Sequence, residues 1–406
     1  MNLCFSVSRF PVPSQTFVLA QVLHAVRAGH DVTVACAVHD TAAPLSDAEA
    51  RALSQVRIVI WPPPAPAWAT LLPTAQRDRA LARRARDAWR RTVRAIRPDV
   101  VIAHFGYRGA AVERAQRGWP DAPPLVTIYH GRDVSVEYTR NRMAKYRALL
   151  QNGTLHLPVN AVFARQLVAC GARPERVRTH HLGIPVASYP FTPPCAAKPR
   201  NTPFRLISVC RLVEKKGLDI ALTALAQLRS AHPALDWRYE IGGEGPLEDT
   251  LKARTHALGL SDRIRFLGLL PHTEALRRIA EADAFLLPSV TAPDGDQEGI
   301  PITLMEAMAL GTPVCTTRHS GIPELVRHGQ TGLLSDEFDA SGLCANLLTL
   351  LSPDLSAATT LALAARRTVE HAFNQDIQNA LLLQLCAGRG ASSGRGTARA
   401  LTRTDR

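Results

Sequence analysis

The amino-acid sequence predicts an α/β protein of two domains, each a doubly wound parallel sheet. Three observations predict it. The 406 residues exceed one ordinary domain, at roughly 100–200 residues apiece. Short apolar runs of strand length alternate with helical patterns along both halves, which implies parallel strands joined by helical crossovers. A stretch with five prolines, VASYPFTPPCAAKPRNTP at 186–203, interrupts the alternation and reads as a linker. At 46% hydrophobic and 20% charged residues, the chain can fill two cores, which excludes wholesale disorder.

The elements follow in order. Residues 1–8 are an apolar run of strand length. A helix is expected over 16–28, with Phe17, Ala20, Leu23 and Val26 on one face and Gly29 to stop it. Further strands are expected at 31–38, 100–104 and 125–129, which completes a first domain over 1–185. The second domain, 204–355, has expected strands at 204–209, 237–242, 264–267, 283–287 and 313–316. Helices over 356–386 are expected to pack back on the first domain. Residues 387–406, AGRGASSGRGTARALTRTDR, contain one leucine among Gly, Ser and Arg and read as a disordered basic tail. In open parallel sheets, ligands bind beyond the carboxyl ends of the strands. The residues just after each strand are therefore the ones to examine for chemistry.

Composition limits the function classes. No apolar run reaches the ~18 residues of a membrane-spanning helix. The start, MNLCFSVSRFPVPSQTF, lacks the basic and long apolar regions of a secretory leader. Eight cysteines lie singly, with no C-x-x-C or zinc-type spacing, and read as reduced thiols of a cytoplasmic protein. The net charge of +13 points to a polyanionic partner. It is unevenly spread: +14 over residues 1–198, −5 over 199–386 and +4 over the last 20.

Three stretches carry chemistry. In FLLPSVTAPDGDQEGIPITLMEAMALGT, 285–312, a strand runs into a loop and Pro301 opens a helix. Backbone N–H groups near Ile302 and Thr303 make an anion site, and Glu298 and Glu306 flank it. In SVCRLVEKKG, 208–217, Arg211 and Lys216 follow a strand and can reach phosphate oxygens. In IGGEGP, 241–246, a glycine pair after a strand lets the backbone approach a flat ligand. Each signal taken singly also fits a capped helix, a solvated basic turn or an ordinary glycine turn.

Together these stretches resemble the C-terminal domain of the retaining GT-B glycosyltransferases of family 4, the glycosyl transferases group 1. The matches are R-L-x-E-K-K-G at 211–217, G-G-E-G-P at 242–246, F-L-G at 266–268 and E-G-I-P-I-T-L-M-E at 298–306. They continue through G-T-P-V at 311–314, G-I-P-E at 321–324 and G-x-T-G-L-L at 329–334. The resemblance implies two Rossmann-like domains facing a central cleft. It also implies an enzyme that moves a sugar from a UDP- or GDP-sugar to a saccharide acceptor. Arg211 and Lys216 would bind the donor diphosphate, Glu306 the ribose hydroxyls and Glu298 the sugar hydroxyls. Gly243 would lie beside the base, and backbone around Gly299, Ile300, Pro301 and Thr303 would cradle the phosphates. TIYHGRDVS at 127–135 contains the family's H-G-x-D pattern. His130 would therefore sit near the reacting carbon and Asp133 would orient its loop, with Arg132 at a variable position. The loop FPVPSQTF at 10–17 is similar to the S-E-T-F loop of the colanic acid and amylovoran subgroup, with Gln15 in place of Glu. This makes Ser14 and Thr16 candidate phosphate or acceptor contacts.

No cofactor is expected, and no metal. Asp294-Gly295-Asp296 spells D-x-D, but Arg211 and Lys216 already supply the positive charge a cation would bring. The alternatives are a nucleotide-sugar epimerase or phosphorylase of the same architecture, a basic nucleic-acid-binding protein, or a non-catalytic binder. Nine arginines crowd residues 77–97, with Leu81, Ala85, Trp89 and Ile96 at helical spacing. That pattern fits a surface helix with an apolar stripe in the core and a cationic face towards anionic lipid, at about 1 kcal/mol per basic residue. The expected partners are a nucleotide-sugar donor, a lipid-linked saccharide acceptor and the anionic inner face of a bacterial membrane, with no specific nucleic acid.

Overall fold

The computed structural model describes residues 1–12, 15–194, 203–352 and 354–390. The first sheet contains β1 (Asn2–Phe10), β2 (Asp31–His39), β3 (Arg57–Ile60), β4 (Val100–His104), β5 (Leu125–Tyr129) and β6 (Leu155–Pro158). The second contains β7 (Phe204–Val209), β8 (Trp237–Gly242), β9 (Ile264–Gly268), β10 (Ala284–Leu287), β11 (Val314–Thr317) and β12 (Leu333–Ser335). Their orders are β3-β2-β1-β4-β5-β6 and β12-β11-β10-β7-β8-β9. Counted from its own first strand, each sheet has the order 3-2-1-4-5-6, the doubly wound arrangement of dinucleotide-binding folds. The order reverses between β1 and β4, and between β7 and β10. Both of those pairs are parallel.

The expected α/β class holds. Three strands absent from the sequence reading are β3, β6 and β12, each of three or four residues at a sheet edge. Strands this short show no period-2 alternation. β1 is fully strand-like to Phe10, two residues beyond the expected end.

The compact units differ from the expected spans. One comprises Met1–Ile128, Gln151–His156 and the segment beginning at Ala380; the other comprises Tyr129–Leu150 and Leu157–Asn379. The described part of the expected linker, 186–194, is packed chain. Val186 and Tyr189 are buried with Leu304, Met308 and Phe373 in the core of the second unit. Prolines there shape a strap, and apolar side chains hold it down. Residues 195–202 and 391–406 lie outside the described residues. The final helix, Gln375–Gly390, starts in the second unit, and its part from Ala380 belongs to the first. It also runs four residues into the stretch expected to be a tail.

Candidate active site

The site is built at the carboxyl ends of β7 and β10, where the second sheet reverses order. After β7 the chain passes Arg211, which is exposed, and makes a short 3-10 turn, Glu214–Lys216. Gly217 then adopts φ +61°, and a Cβ there would stand 1.9 Å from the Pro288 carbonyl oxygen. Only glycine fits that close approach. Val290 N–H donates to the Lys215 carbonyl at 2.9 Å, which ties the two strand ends together.

This juxtaposition brings the lysines to the loop after β10. Lys216 Nζ lies 2.7 Å from Glu298 Oε1. Lys215 Nζ lies 3.3 Å from Asp296 Oδ1 and 3.9 Å from Glu298 Oε2. All four side chains are buried or nearly so. Burial pulls the Lys216 ammonium down, but Glu298 outweighs it, and the pKa ends above the ordinary lysine value. Burial pushes the Glu298 carboxyl up, while Lys216 and then Lys215 pull it down, to a net value below the ordinary glutamate range. Both groups are therefore charged at neutral pH.

Glu306 lies one turn into the helix Ile302–Leu310 and is 6% exposed. Its Oε1 accepts from Tyr189 Oη at 3.1 Å and pairs with His272 Nε2 at 2.8 Å. Both contacts use one oxygen, which leaves Oε2 for a ligand. Burial raises the Tyr189 hydroxyl pKa further above its ordinary value, and Glu306 adds to this, so it stays a donor. The hydrogen bond to Glu306 raises the His272 pKa. Pro301 is the residue before the helix rather than its first residue, a shift of one from expectation. The N–H groups of Ile302 and Thr303 remain in the first turn, where no carbonyl of the helix can reach them. Ile300 is buried at the turn into this helix.

The glycines after β8 serve the same edge. Gly243 has φ +127°, and a Cβ would meet the Cys210 carbonyl oxygen at 1.9 Å. Cys210 N–H donates to the Gly242 carbonyl at 3.0 Å and Leu212 N–H to the Glu244 carbonyl at 2.9 Å. The Gly-Gly-Glu-Gly-Pro turn thus lies flat against the Arg211 loop.

The H-G-x-D turn belongs to the same compact unit. Asp133 Oδ1 accepts from the N–H groups of His130 at 3.1 Å and Gly131 at 2.9 Å. A Cβ on Gly299 would stand 2.7 Å from the His130 carbonyl oxygen, so that carbonyl rests against the turn next to Glu298. Asn160 Nδ2 donates to the Gly299 carbonyl at 3.0 Å. Arg132 pairs with Asp294 at 2.9 Å and Asp296 at 3.5 Å, and Arg140 reaches Asp294 at 3.9 Å. The D-x-D aspartates therefore face arginine and lysine side chains. Among the described residues no cluster of three or more His, Cys, Asp or Glu is arranged to hold a metal.

His130, Asp133, Lys216, Gly243, Gly299, Glu298 and Glu306 thus fall in one unit, with Arg211 on the loop beside them. Thr16 is exposed at the start of the helix Thr16–Arg27 in the other unit. Ser14 lies outside the described residues.

Sequence reasoning missed the residues that hold Glu298. The Glu298 N–H donates to His319 Nε2 at 3.0 Å. That nitrogen must therefore be unprotonated, and His319 Nδ1 carries the hydrogen that it gives to Glu337 Oε1 at 2.7 Å. Glu337 also accepts from Thr291 N–H at 2.7 Å. Ser320 Oγ donates to the Glu298 carbonyl at 2.7 Å. Burial raises the Glu337 pKa, but the His319 and Thr291 hydrogen bonds bring it below the ordinary value. His319 and Ser320 directly precede the Gly-Ile-Pro-Glu motif, which was the one available signal.

Fold and site together define an α/β protein of the GT-B type, and comparison identifies the family. The model for "Glycosyl transferases group 1" matches residues 196–367 and that for "Glycosyltransferase Family 4" matches residues 14–188. The chain belongs to this glycosyltransferase family and is a transferase enzyme. The amylovoran biosynthesis glycosyltransferase AmsK of Erwinia amylovora is 34% identical, over 93% of this chain and 97% of that protein. The Escherichia coli protein named "Putative colanic acid biosynthesis glycosyltransferase WcaL" is 38% identical, over 71% of this chain and 70% of that protein. The crystal structure of HepE from Anabaena in complex with UDP matches with TM-score 0.73 at 20% identity, over 96% of this chain and all of that one. Sucrose-phosphate synthase from Thermosynechococcus elongatus matches with TM-score 0.74 at 18% identity, over 97% of this chain and all of that one. These two establish the shared fold.

Proposed function

We propose that the enzyme transfers a sugar, with retention, from a nucleotide-sugar to a lipid-linked saccharide in exopolysaccharide assembly. The observation that carries this reading is the buried Lys216–Glu298 pair, set at the switch point of the second sheet beside a helix N-terminus. Lys216 and Arg211 neutralise the diphosphate, aided by the N–H groups of Ile302 and Thr303. Glu306 takes the ribose hydroxyls through its Oε2, and the glycine turn at Gly243 lies along the base. Glu298 binds sugar hydroxyls, and the His130 carbonyl faces the reacting carbon. Charge on the leaving diphosphate is stabilised by these fixed groups, and its oxygen takes the acceptor proton, so no separate base is needed. Lys216 and the arginines supply the positive charge, and the reaction runs without a metal.

The exopolysaccharide role is supported by the likeness to AmsK and WcaL. UDP in the HepE complex makes a uridine donor the first to test. The lipid-linked acceptor is supported by the basic helix Thr74–Ile96, whose Trp89, Val93 and Ile96 are buried while Arg79, Arg83, Arg84, Arg91 and Arg94 are exposed. No helix among the described residues is long and apolar enough to cross a membrane. The exposed arginines of Thr74–Ile96 support contact with the anionic cytoplasmic face of the membrane as a peripheral protein. The test is slow hydrolysis and thermal stabilisation across a panel of nucleotide-sugars. One donor should stabilise the protein and be hydrolysed. A panel without any response would overturn the reading.

A further inference from the structure

The first unit contains a cavity that the donor chemistry does not use. It measures about 940 Å³ and lies between the helices Thr74–Ile96 and Gly106–Gln116. That is the size of a small-molecule site, at roughly 300–1,000 Å³. Its walls are apolar, among them Ile60, Trp61, Pro63, Leu81, Ala85 and Ala111. Two hydrogen bonds join the segments around it. Trp61 Nε1 donates to the Ala85 carbonyl at 2.8 Å, and Arg90 Nη2 donates to the Arg117 carbonyl at 2.9 Å.

The charged residues lining the cavity are all of one sign. Five arginines line it and no carboxylate does. Arg108 is 5% exposed and lies 4.8 Å over the Trp61 ring. Its Nη2 donates to Ser6 Oγ at 3.0 Å and to the Trp61 carbonyl at 3.2 Å, while its Nε is buried without a hydrogen-bond partner. Among the described residues no carboxylate pairs with it. Its guanidinium lies against the Trp61 ring, which is a favourable seat for a buried cation. At the mouth, Arg83 and Arg114 are exposed and make no ion pair among the described residues, and Arg86 meets only its neighbour Asp87 at 3.4 Å. Arg117 is neutralised by Glu113 at 2.6 Å, which leaves Arg83 and Arg114 as the exposed cations of the lining without an ion pair among the described residues. An apolar pocket edged by such cations fits a molecule that is apolar at one end and anionic at the other.

We infer that this cavity seats the hydrocarbon chain of a lipid that ends in phosphate, with the phosphate held at the mouth by Arg83, Arg86 and Arg114. This rests on the reading of the acceptor as lipid-linked, and it names the part of the chain that grips the lipid. Apolar burial supplies the affinity for the chain. The arginines select the charged end.

Calorimetry on the full chain tests this with farnesyl phosphate, farnesol and inorganic phosphate. Farnesyl phosphate should bind at least tenfold more tightly than either fragment. Ala111→Phe, which fills the cavity, should weaken it at least tenfold. The exposed pair Arg83→Gln/Arg114→Gln should weaken it to a similar degree and flatten its salt dependence, and decides the matter alone if Ala111→Phe does not fold. Equal affinity for farnesyl phosphate and inorganic phosphate, or unchanged affinity in the arginine pair, would overturn the inference. Donor hydrolysis measured on the same wild-type sample separates the two readings. Hydrolysis without farnesyl phosphate binding rejects the cavity alone, and binding without hydrolysis of any donor rejects the proposed nucleotide-sugar reading alone.

Discussion

Lys216 and Glu298 stabilise each other, and the consequences are asymmetric. Removing one partner strands the other charge in a dry setting. Lys216→Ala or Glu298→Ala should lower turnover by about 10²-fold or more, as loss of a fixed transition-state contact does. Near-normal turnover of either purified variant would remove that residue from the mechanism. The pair also sets a pH window. Glu298 has a lowered folded pKa, so its contribution is present above the ordinary carboxylate range and is lost as pH falls through the lowered value. Lys216 has a raised folded pKa, so its contribution is present below the ordinary lysine value and is lost as pH rises through the raised one. The melting difference between wild type and Glu298→Gln should therefore be flat at neutral pH and close in strong acid. A difference that instead closes near neutrality would exclude a charged Glu298. His319 acts on Glu298 through its backbone. His319→Ala leaves the Glu298 N–H and Glu337 without their partner and should cost about 1–3 kcal/mol. His319→Gln, which restores an acceptor near Nε2, should recover much of the lost turnover. Equal losses in the two variants, read in kcat with donor KM alongside, would argue against this positioning role.

At the scale of elements, the site depends on turns that bring strand ends within reach. Gly217 and Gly171 both have positive φ, at +61° and +97°. A Cβ at Gly171 meets nothing within 4 Å, whereas one at Gly217 collides with the Pro288 carbonyl. Gly171→Ala should cost about 1–2 kcal/mol from backbone conformation alone. Gly217→Ala should cost more and abolish donor binding, because Lys216 must move with the turn. Thermal melts and donor titration of the two variants check this, and equal behaviour would refute the close approach. The strap at 186–194 makes the same point from the other direction. Its prolines resemble a linker, but Tyr189 Oη is a ligand of Glu306 and its backbone carbonyl accepts from Arg366 at 2.7 Å.

Across the whole molecule, the net charge of +13 resolves into parts with different uses. The proposed donor site uses Arg211, Lys216 and a helix end, in a stretch that is mildly acidic overall. The excess lies in the first 198 residues, where the exposed arginines of Thr74–Ile96 and the arginine-lined cavity are found. Flotation with anionic and neutral vesicles should show binding to the anionic ones only, weakening as salt rises. Equal, negligible binding to both would reject the membrane role.

The alternation of strands and helices predicted the α/β class, and motif spacing picked out Arg211, Lys216, Glu298 and Glu306 with their order along the chain. These signals are local: a period of two or 3.6, a glycine after a strand, a proline before a helix. What tertiary structure decided is everything that depends on distance in space. It turned the 186–194 stretch into a packed strap, placed His319 and Glu337 behind Glu298, and set Arg132 against Asp294 and Asp296. It also buried Arg108 beside an apolar cavity, with no carboxylate paired to it among the described residues. No periodicity reports such pairings, because partners 18 to 164 residues apart are joined only when the chain packs.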